Sequence, residues 1–257
     1  MSYTFLRMVY TVTTVDVKEP DPGLPASIEA AWGRRERSTK GPKPGLSLER
    51  IVEAAVGVAR SDGLEAVSMS RVAAELGAST MSLYRYVAAK DELLALMVDA
   101  AMADASSGAA DGGSWRHGLA EWAWGYHRIL RRHPWILRIP IASPPLTPNM
   151  TTWLEHGLRA LGPTGLSEPE KLSVMLLLSG FVRNEATVIA DLGNPEQDIM
   201  PVWGRRLEAL TDPERFPALH AALGSEAFDA DDDPDAEFVF GLERILDGVA
   251  ALVDARS

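Results

Sequence analysis

Cysteine is absent from the 257 residues. Disulfides, cysteine-ligated zinc, iron–sulfur clusters and thiol catalysis are excluded with it. Long apolar runs are lacking too. The most apolar stretch, Val174 to Val182, is broken by Ser179 and Gly180, well short of the roughly 18 residues that span a bilayer. The opening MSYTFLRMVYTVTTV carries one Arg, no sustained apolar stretch and no small-residue cleavage site, so it does not read as a signal peptide. A soluble, cytoplasmic chain with no membrane partner is expected. A GxSxG elbow, a phosphate-binding glycine loop and a dinucleotide fingerprint are all missing, which argues against an enzyme. His127 and His133 lie six apart, on different faces of any helix. His117 and Glu121 stand at metal-pair spacing without a third ligand. The run Asp229, Asp231, Asp233, Asp235 resembles the start of a calcium loop, but its sixth position is Pro234 and its twelfth Phe240. No metal and no cofactor are expected, and the acidic run suits the N-terminus of the last helix.

What is present is an uneven charge. The chain carries a net −11. Residues 32–90 nonetheless hold 10 Lys/Arg against 6 Asp/Glu, whereas residues 91–257 hold 13 against 26. A short basic segment on an acidic body points to a nucleic-acid-binding head on a chain with a second task. The length allows one or two domains.

Residues 1–24 show no period. Residues 25–37 fit a short helix opened by Pro25, and 38–46 (STKGPKPGL) form a basic Pro/Gly linker. From Ser47 the pattern is helical. Ser47 caps a helix with Leu48, Ile51, Val52, Ala55 and Ala59 at helical spacing, ended by Asp62-Gly63. Ser68 caps a second helix whose apolar positions are Met69, Val72, Ala73 and Leu76. Gly77 then makes the tight turn that a residue of positive φ allows. Ser79 caps a third, over about 80–86, with Leu83 and Val87 inward. A fourth opens at Lys90-Asp91-Glu92 and runs to about Asp104.

Two short helices joined by a glycine turn and braced by a longer one fit a helix-turn-helix, whose second helix enters the major groove. On spacing alone a surface helical hairpin fits as well. The third helix favours DNA. Thr80, Ser82 and Arg85 lie on a face the core does not need, and Tyr84 offers a phenol to a phosphate.

The stretch Gly45 to Ala101 closely resembles the DNA-binding domain of TetR-family transcriptional regulators. The matching residues are GLSLERIVEAA, Ser68-Met69-Ser70-Arg71-Val72-Ala73, Leu76-Gly77, Met81-Ser82-Leu83-Tyr84-Arg85-Tyr86-Val87 and Lys90-Asp91-Glu92-Leu93-Leu94. The resemblance implies that Thr80, Met81, Ser82 and Tyr84 meet DNA and that Lys90 clamps a phosphate. The third position of the second helix, often Arg in the family, is Ser70 here, with Arg71 beside it placed to hold a phosphate. Ser68, Ser79, Arg85 and Tyr86 complete the expected DNA-binding set.

Beyond residue 105 every signal is helical. Ser114 caps a helix carrying Trp115, Leu119, Trp122, Tyr126, Ile129 and Leu130, closed by His133-Pro134. A rigid loop, 140–148, leads through Thr147-Pro148 into a helix with Trp153, Leu154, Leu158 and Leu161. Ser167-Glu168-Pro169-Glu170 is a capping box, and its helix runs to about Leu192. A Pro-broken stretch, 201–217, precedes the Asp-rich segment and a final helix over 235–254.

The expected class is all-α: a three-helix helix-turn-helix domain (45–104) and a helical ligand-binding and dimerisation domain (105–257), preceded by a flexible extension with a basic arm (1–44). Arg34, Arg35, Arg37, Lys40 and Lys43 form that arm, or an incidental charged tail. The long helices near 168–192 and 235–254 either line their own core or, as the resemblance implies, form a four-helix bundle across a two-fold axis. Five of the seven Trp lie between 115 and 153. They are ordinary core, or as a group they line an inducer pocket for an aromatic or lipophilic compound. The pocket candidates are Trp122, Tyr126, His127, Trp153, Phe181, Asn184 and Glu185. The expected partners are a palindromic duplex DNA operator, a small-molecule effector and a second copy of the chain. The expected function is a repressor released by its inducer. Two rivals are a helical small-molecule-binding or enzymatic protein without DNA binding, and a constitutive DNA binder without an inducer.

Overall fold

The computed structural model describes residues 23–34, 46–106, 113–141, 144–192, 199–225, 228 and 235–256. Among them are eleven α-helices and no strand: α1 (Ala26–Ala31), α2 (Leu48–Asp62), α3 (Met69–Glu75), α4 (Thr80–Leu83), α5 (Lys90–Ser106), α6 (Trp115–Arg132), α7 (Pro148–Ala160), α8 (Glu168–Leu192), α9 (Ile199–Leu210), α10 (Pro217–Leu223) and α11 (Ala236–Asp254).

Serine hydroxyls set four of the starts. Ser47, Ser68, Ser79 and Ser114 accept from the amides of Arg50, Arg71, Ser82 and His117, each three residues on. Each satisfies an amide that the helix itself leaves unpaired. At α8 the Glu170 carboxylate receives the Ser167 amide at 2.8 Å and its hydroxyl at 2.7 Å. Gly77 turns the chain between α3 and α4 at φ +62°, a conformation L side chains resist.

In the head, α2 packs on α3 and α5. Its fully buried Ile51 and Ala55 share one core with Val67, Val72, Leu83, Val87 and Leu93. In the body, α6, α7, α8 and α11 pack around Leu119, Trp122, Trp153, Met175, Leu178, Phe238 and Leu246. The helices come close where a side chain is missing. A Cβ on Gly125 of α6 would lie 2.6 Å from the Trp153 ring, so that ring needs a glycine beneath it. The buried residues form one continuous core, and the most extensive packing between head and body is α5 against α7.

Three expectations change. Within 25–34, the described part of 25–37, the helix is Ala26–Ala31. This part of the extension is docked: Ile28 is buried and the Ser27 hydroxyl donates to Glu92 at 2.5 Å. The stretch 201–217 is broken once, over residues 211–216, which hold Pro213; its other two prolines open helices instead. Pro201 lies in the first turn of α9 and Pro217 opens α10, where a missing N–H costs nothing. The third helix of the head is shorter than expected, because Tyr84 to Tyr86 form turns beyond Leu83.

By length and composition α8 could cross a membrane, with a mean hydropathy of 1.4 over its best window. The window average tolerates the Ser179-Gly180 break that an uninterrupted run does not. Val174, Met175, Leu178, Val182 and Ala186 are instead buried in the body's core. On the opposite face Leu172, Leu176, Leu177 and Val188 are exposed. Neighbouring α11 likewise buries Phe238, Leu242, Leu246 and Val249 and exposes Phe240 and Leu252.

Candidate nucleic-acid interface and aromatic interior

Leu83 and Val87 are fully buried, and they fix which way α4 faces. Met81 is then 74% exposed and Tyr84 45% exposed. Arg85 and Lys90 are exposed, while Thr80 and Ser82 are half-buried. The head therefore presents one apolar, one phenolic and two cationic side chains around a one-turn helix. Short residues among them let a duplex approach the backbone.

The other predicted residues have local roles. The Ser82 hydroxyl lies 2.8 Å from that of the cap Ser79, and the Ser68 hydroxyl 3.1 Å from that of Ser70. Arg71 pairs with Asp62 at 3.0 Å and reaches Glu75 at 3.6 Å. All three side chains are about half exposed, so a phosphate could displace the carboxylates at little cost. Tyr86 is turned inward, and its hydroxyl donates to the Leu46 carbonyl at 3.1 Å. It ties the end of the helix-turn-helix to the start of α2 and lines a groove of about 400 Å³ with Leu46, Leu76, Gly77, Ala78, Ser82 and Arg85. Of the basic arm, Arg34 is exposed; Arg35, Arg37, Lys40 and Lys43 lie outside the described residues, as do Asp229, Asp231 and Asp233.

In the body the aromatic candidates form two groups. Trp122 stacks on Trp153 at 5.4 Å, donates its Nε1–H to the Trp153 carbonyl at 2.8 Å and leans on Tyr126. The second group centres on Phe238, which carries His127 stacked at 4.1 Å, Phe181 at 5.6 Å and the edge of Trp124 at 4.6 Å. His127 is 1% exposed, and its Nε2 approaches the Glu185 carboxylate at 2.9 Å without the alignment of a hydrogen bond. His127 Nδ1 and Trp153 Nε1 are buried with no hydrogen-bond partner. Such atoms are costly unless something else satisfies them. Burial pushes the Tyr126 phenol above its ordinary pKa, against the pull of the Arg183 guanidinium. Arg183 also donates to the carbonyls of Ile136, Leu137 and Ile139.

Asn184 does not join the aromatic interior. It is exposed on the face of α8 that carries Leu177 and Val188. Helical spacing brings Asn184 four residues from Gly180 and Val188, opposite the buried line Leu178, Val182, Ala186. Glu185, one residue on, turns inward.

Sequence reasoning also missed Asp99, which is 6% exposed on α5. Its Oδ1 accepts from the amides of Asn149 at 2.8 Å and Met150 at 3.0 Å. A lone carboxylate among Leu96, Met97, Val98 and Ala101 was the available signal.

A helix-turn-helix head with an exposed cationic rim, joined through one core to a helical body with an aromatic interior, is the architecture of a DNA-binding regulator. Residues 51–97 match the bacterial regulatory proteins of the tetR family, and residues 107–253 match the tetracyclin repressor-like C-terminal domain. Over 247 residues the chain is 38% identical to the HTH-type transcriptional repressor DrrR1 of Streptomyces coeruleorubidus, covering 90% of this chain and 87% of that one. It superposes on apo ActR of Streptomyces coelicolor with a TM-score of 0.70 at 29% identity, over 84% of this chain and all of that one. ActR in complex with actinorhodin aligns at 30% identity and TM-score 0.69, over 82% of this chain and 97% of that one. The chain belongs to the TetR family of bacterial transcriptional regulators.

Proposed function

We propose that the protein is a repressor that works in the cytoplasm. It holds a palindromic operator as a homodimer and releases it when a flat aromatic or lipophilic compound enters the body. The observation that carries this is the pairing of two features on one core: the outward α4 surface, and an aromatic interior whose His127 Nδ1 and Trp153 Nε1 await a polar partner. DrrR1 is named a repressor, and ActR has been crystallised with actinorhodin. Residues 45–104 serve as the DNA-binding domain and 105–257 as the ligand and dimer domain, with the basic arm of 1–44 beside the duplex.

Thr80, Met81, Ser82 and Arg85 face base edges and the adjacent backbone. Tyr84 and Lys90 take phosphates, flanked by Ser68, Ser70, Arg71 and Ser79, while Tyr86 braces the surface from within. Trp122, Tyr126, His127, Trp153, Phe181 and Glu185 surround the ligand. A second copy of the chain covers the apolar faces of α8 and α11, since exposed patches of this kind mark interfaces.

The Lys90 assignment has a direct test. Lys90→Ala should weaken binding to every duplex about equally and lower the slope of log affinity against log salt by about one. Fluorescence anisotropy over a salt series measures both. A changed base preference with an unchanged slope would remove Lys90 from the phosphate set.

A further inference from the structure

We propose that Asp99 is a positioning residue that ties the setting of the DNA-binding head to the body through the first turn of α7. The proposal rests on the DNA-binding reading above.

The start of α7 lacks a cap of its own. Thr147 occupies the N-cap position without a side-chain hydrogen bond, and Pro148 has no N–H. The next two amides, of Asn149 and Met150, are both taken by Asp99 Oδ1. The Asn149 side-chain amide closes the unit, donating to Asp99 Oδ2 and to the Asp99 carbonyl, each at 3.1 Å. A helix ordinarily finds its capping oxygen on its own preceding residue. Here it comes from the helix that carries the head, 50 residues away in the chain. The carboxylate is buried, so neither helix can slide along the other without stranding a charge or two amides.

A second tie meets the same corner. Trp32, just beyond α1, donates its indole N–H to the Leu146 carbonyl at 2.8 Å, two residues before α7. Since α1 rides on the head through Ile28 and the Ser27–Glu92 bond, Trp32 also spans head and body. It is 42% exposed and makes one such bond, so it is the weaker tie and Asp99 the pivot. Trp153, stacked inside the body, lies on α7 itself. A displacement of α7 is thus passed to α5 at Asp99.

Asp99→Asn keeps the shape but supplies one acceptor where the site uses two. The paired variant Asp99→Asn with Asn149→Asp restores the side-chain complement and gives up only the bond to the Asp99 carbonyl. The side-chain carbonyl then present on α5 accepts the two backbone amides, while its NH₂ donates to the carboxylate introduced on α7. Hydrogen exchange on the full-length protein reads the tie in two arms. Without DNA, Asp99→Asn should speed exchange across α2 to α4 about fivefold or more and leave the centre of α8 unchanged, and the paired variant should recover most of the wild-type protection. With a duplex selected from a random pool by the wild-type protein, residues 147–154 should become about fivefold more protected in wild type and in the paired variant, but not in Asp99→Asn. Trp32→Phe should give the same pattern to a smaller extent. Wild-type exchange of the head in Asp99→Asn, or undiminished protection of 147–154 by DNA in that variant, would overturn the proposal. If wild type selects no duplex, the DNA-binding reading fails, and the DNA-free arm still decides whether Asp99 holds head to body.

Discussion

A protein carrying Leu177→Glu and Phe240→Glu should sediment as a monomer and lose specific operator binding. Leu177 is 55% exposed on α8 and Phe240 62% exposed on α11, each on the side opposite the buried line of its helix. The two helices pack side by side, so their outer faces form one surface with Leu176, Val188 and Leu252. A stable pair typically covers about 1,200–2,000 Å² in total. Two buried carboxylates facing an apolar partner, of which only that at 240 has a cation, Arg244, within reach, would cost more than such an interface contributes beyond need. One head alone reads one half-site, and the remaining affinity is that of general attraction to phosphates. Specific binding commonly exceeds that by about a thousandfold or more, and losses of that order are expected. Both side chains are exposed in the subunit, so its own melting should change little. Analytical ultracentrifugation with a gel shift at matched salt tests this. A variant that remains dimeric places the interface elsewhere.

The second large effect is reciprocal antagonism between ligand and DNA. A compound in the aromatic interior can move the heads only if it binds one setting of them better than another. The magnitude is typically about 5–150-fold, and it must be the same in both directions. The body reports its own occupancy, because Trp122 and Trp153 are stacked on each other inside it. A planar aromatic ligand that quenches them should bind about 5–150-fold more weakly once the operator is present, and His127→Phe should weaken the ligand with or without DNA. Equal dissociation constants with and without DNA would separate the sites. Tighter binding with DNA would make the compound a corepressor.

Much of the head, and the start of α6, was legible from local chemistry. A serine hydroxyl acts three residues away, so Ser47, Ser68, Ser79 and Ser114 announced their helices. Leu83 and Val87 were readable as anchors from the helical period, and the exposure of Tyr84 and Arg85 follows from theirs. Of the three prolines in 201–217, Pro213 marks a real break, the turn at 211–216, whereas Pro201 and Pro217 sit in first turns, where their missing N–H is not used. Asn184 was grouped with Glu185 among the pocket candidates. One step along a helix is about 100°, enough to put the two on different faces. Tyr86 looked like its neighbours, and only the fold shows its hydroxyl on Leu46. The ties between head and body were out of reach of any local rule. Asp99 meets Asn149 across 50 residues and Trp32 meets Leu146 across 114.

The most direct test is selection of a binding site by the wild-type protein from a pool of random duplexes, followed by footprinting of the enriched sequence. Two copies of α4 related by a two-fold axis predict an inverted repeat. Its half-sites should be centred about 34–36 Å apart, one helical turn, or a multiple of that. Enrichment should be lost when Tyr84 and Lys90 are both replaced by Ala. No enrichment, or a single asymmetric site bound by one subunit, would contradict the account.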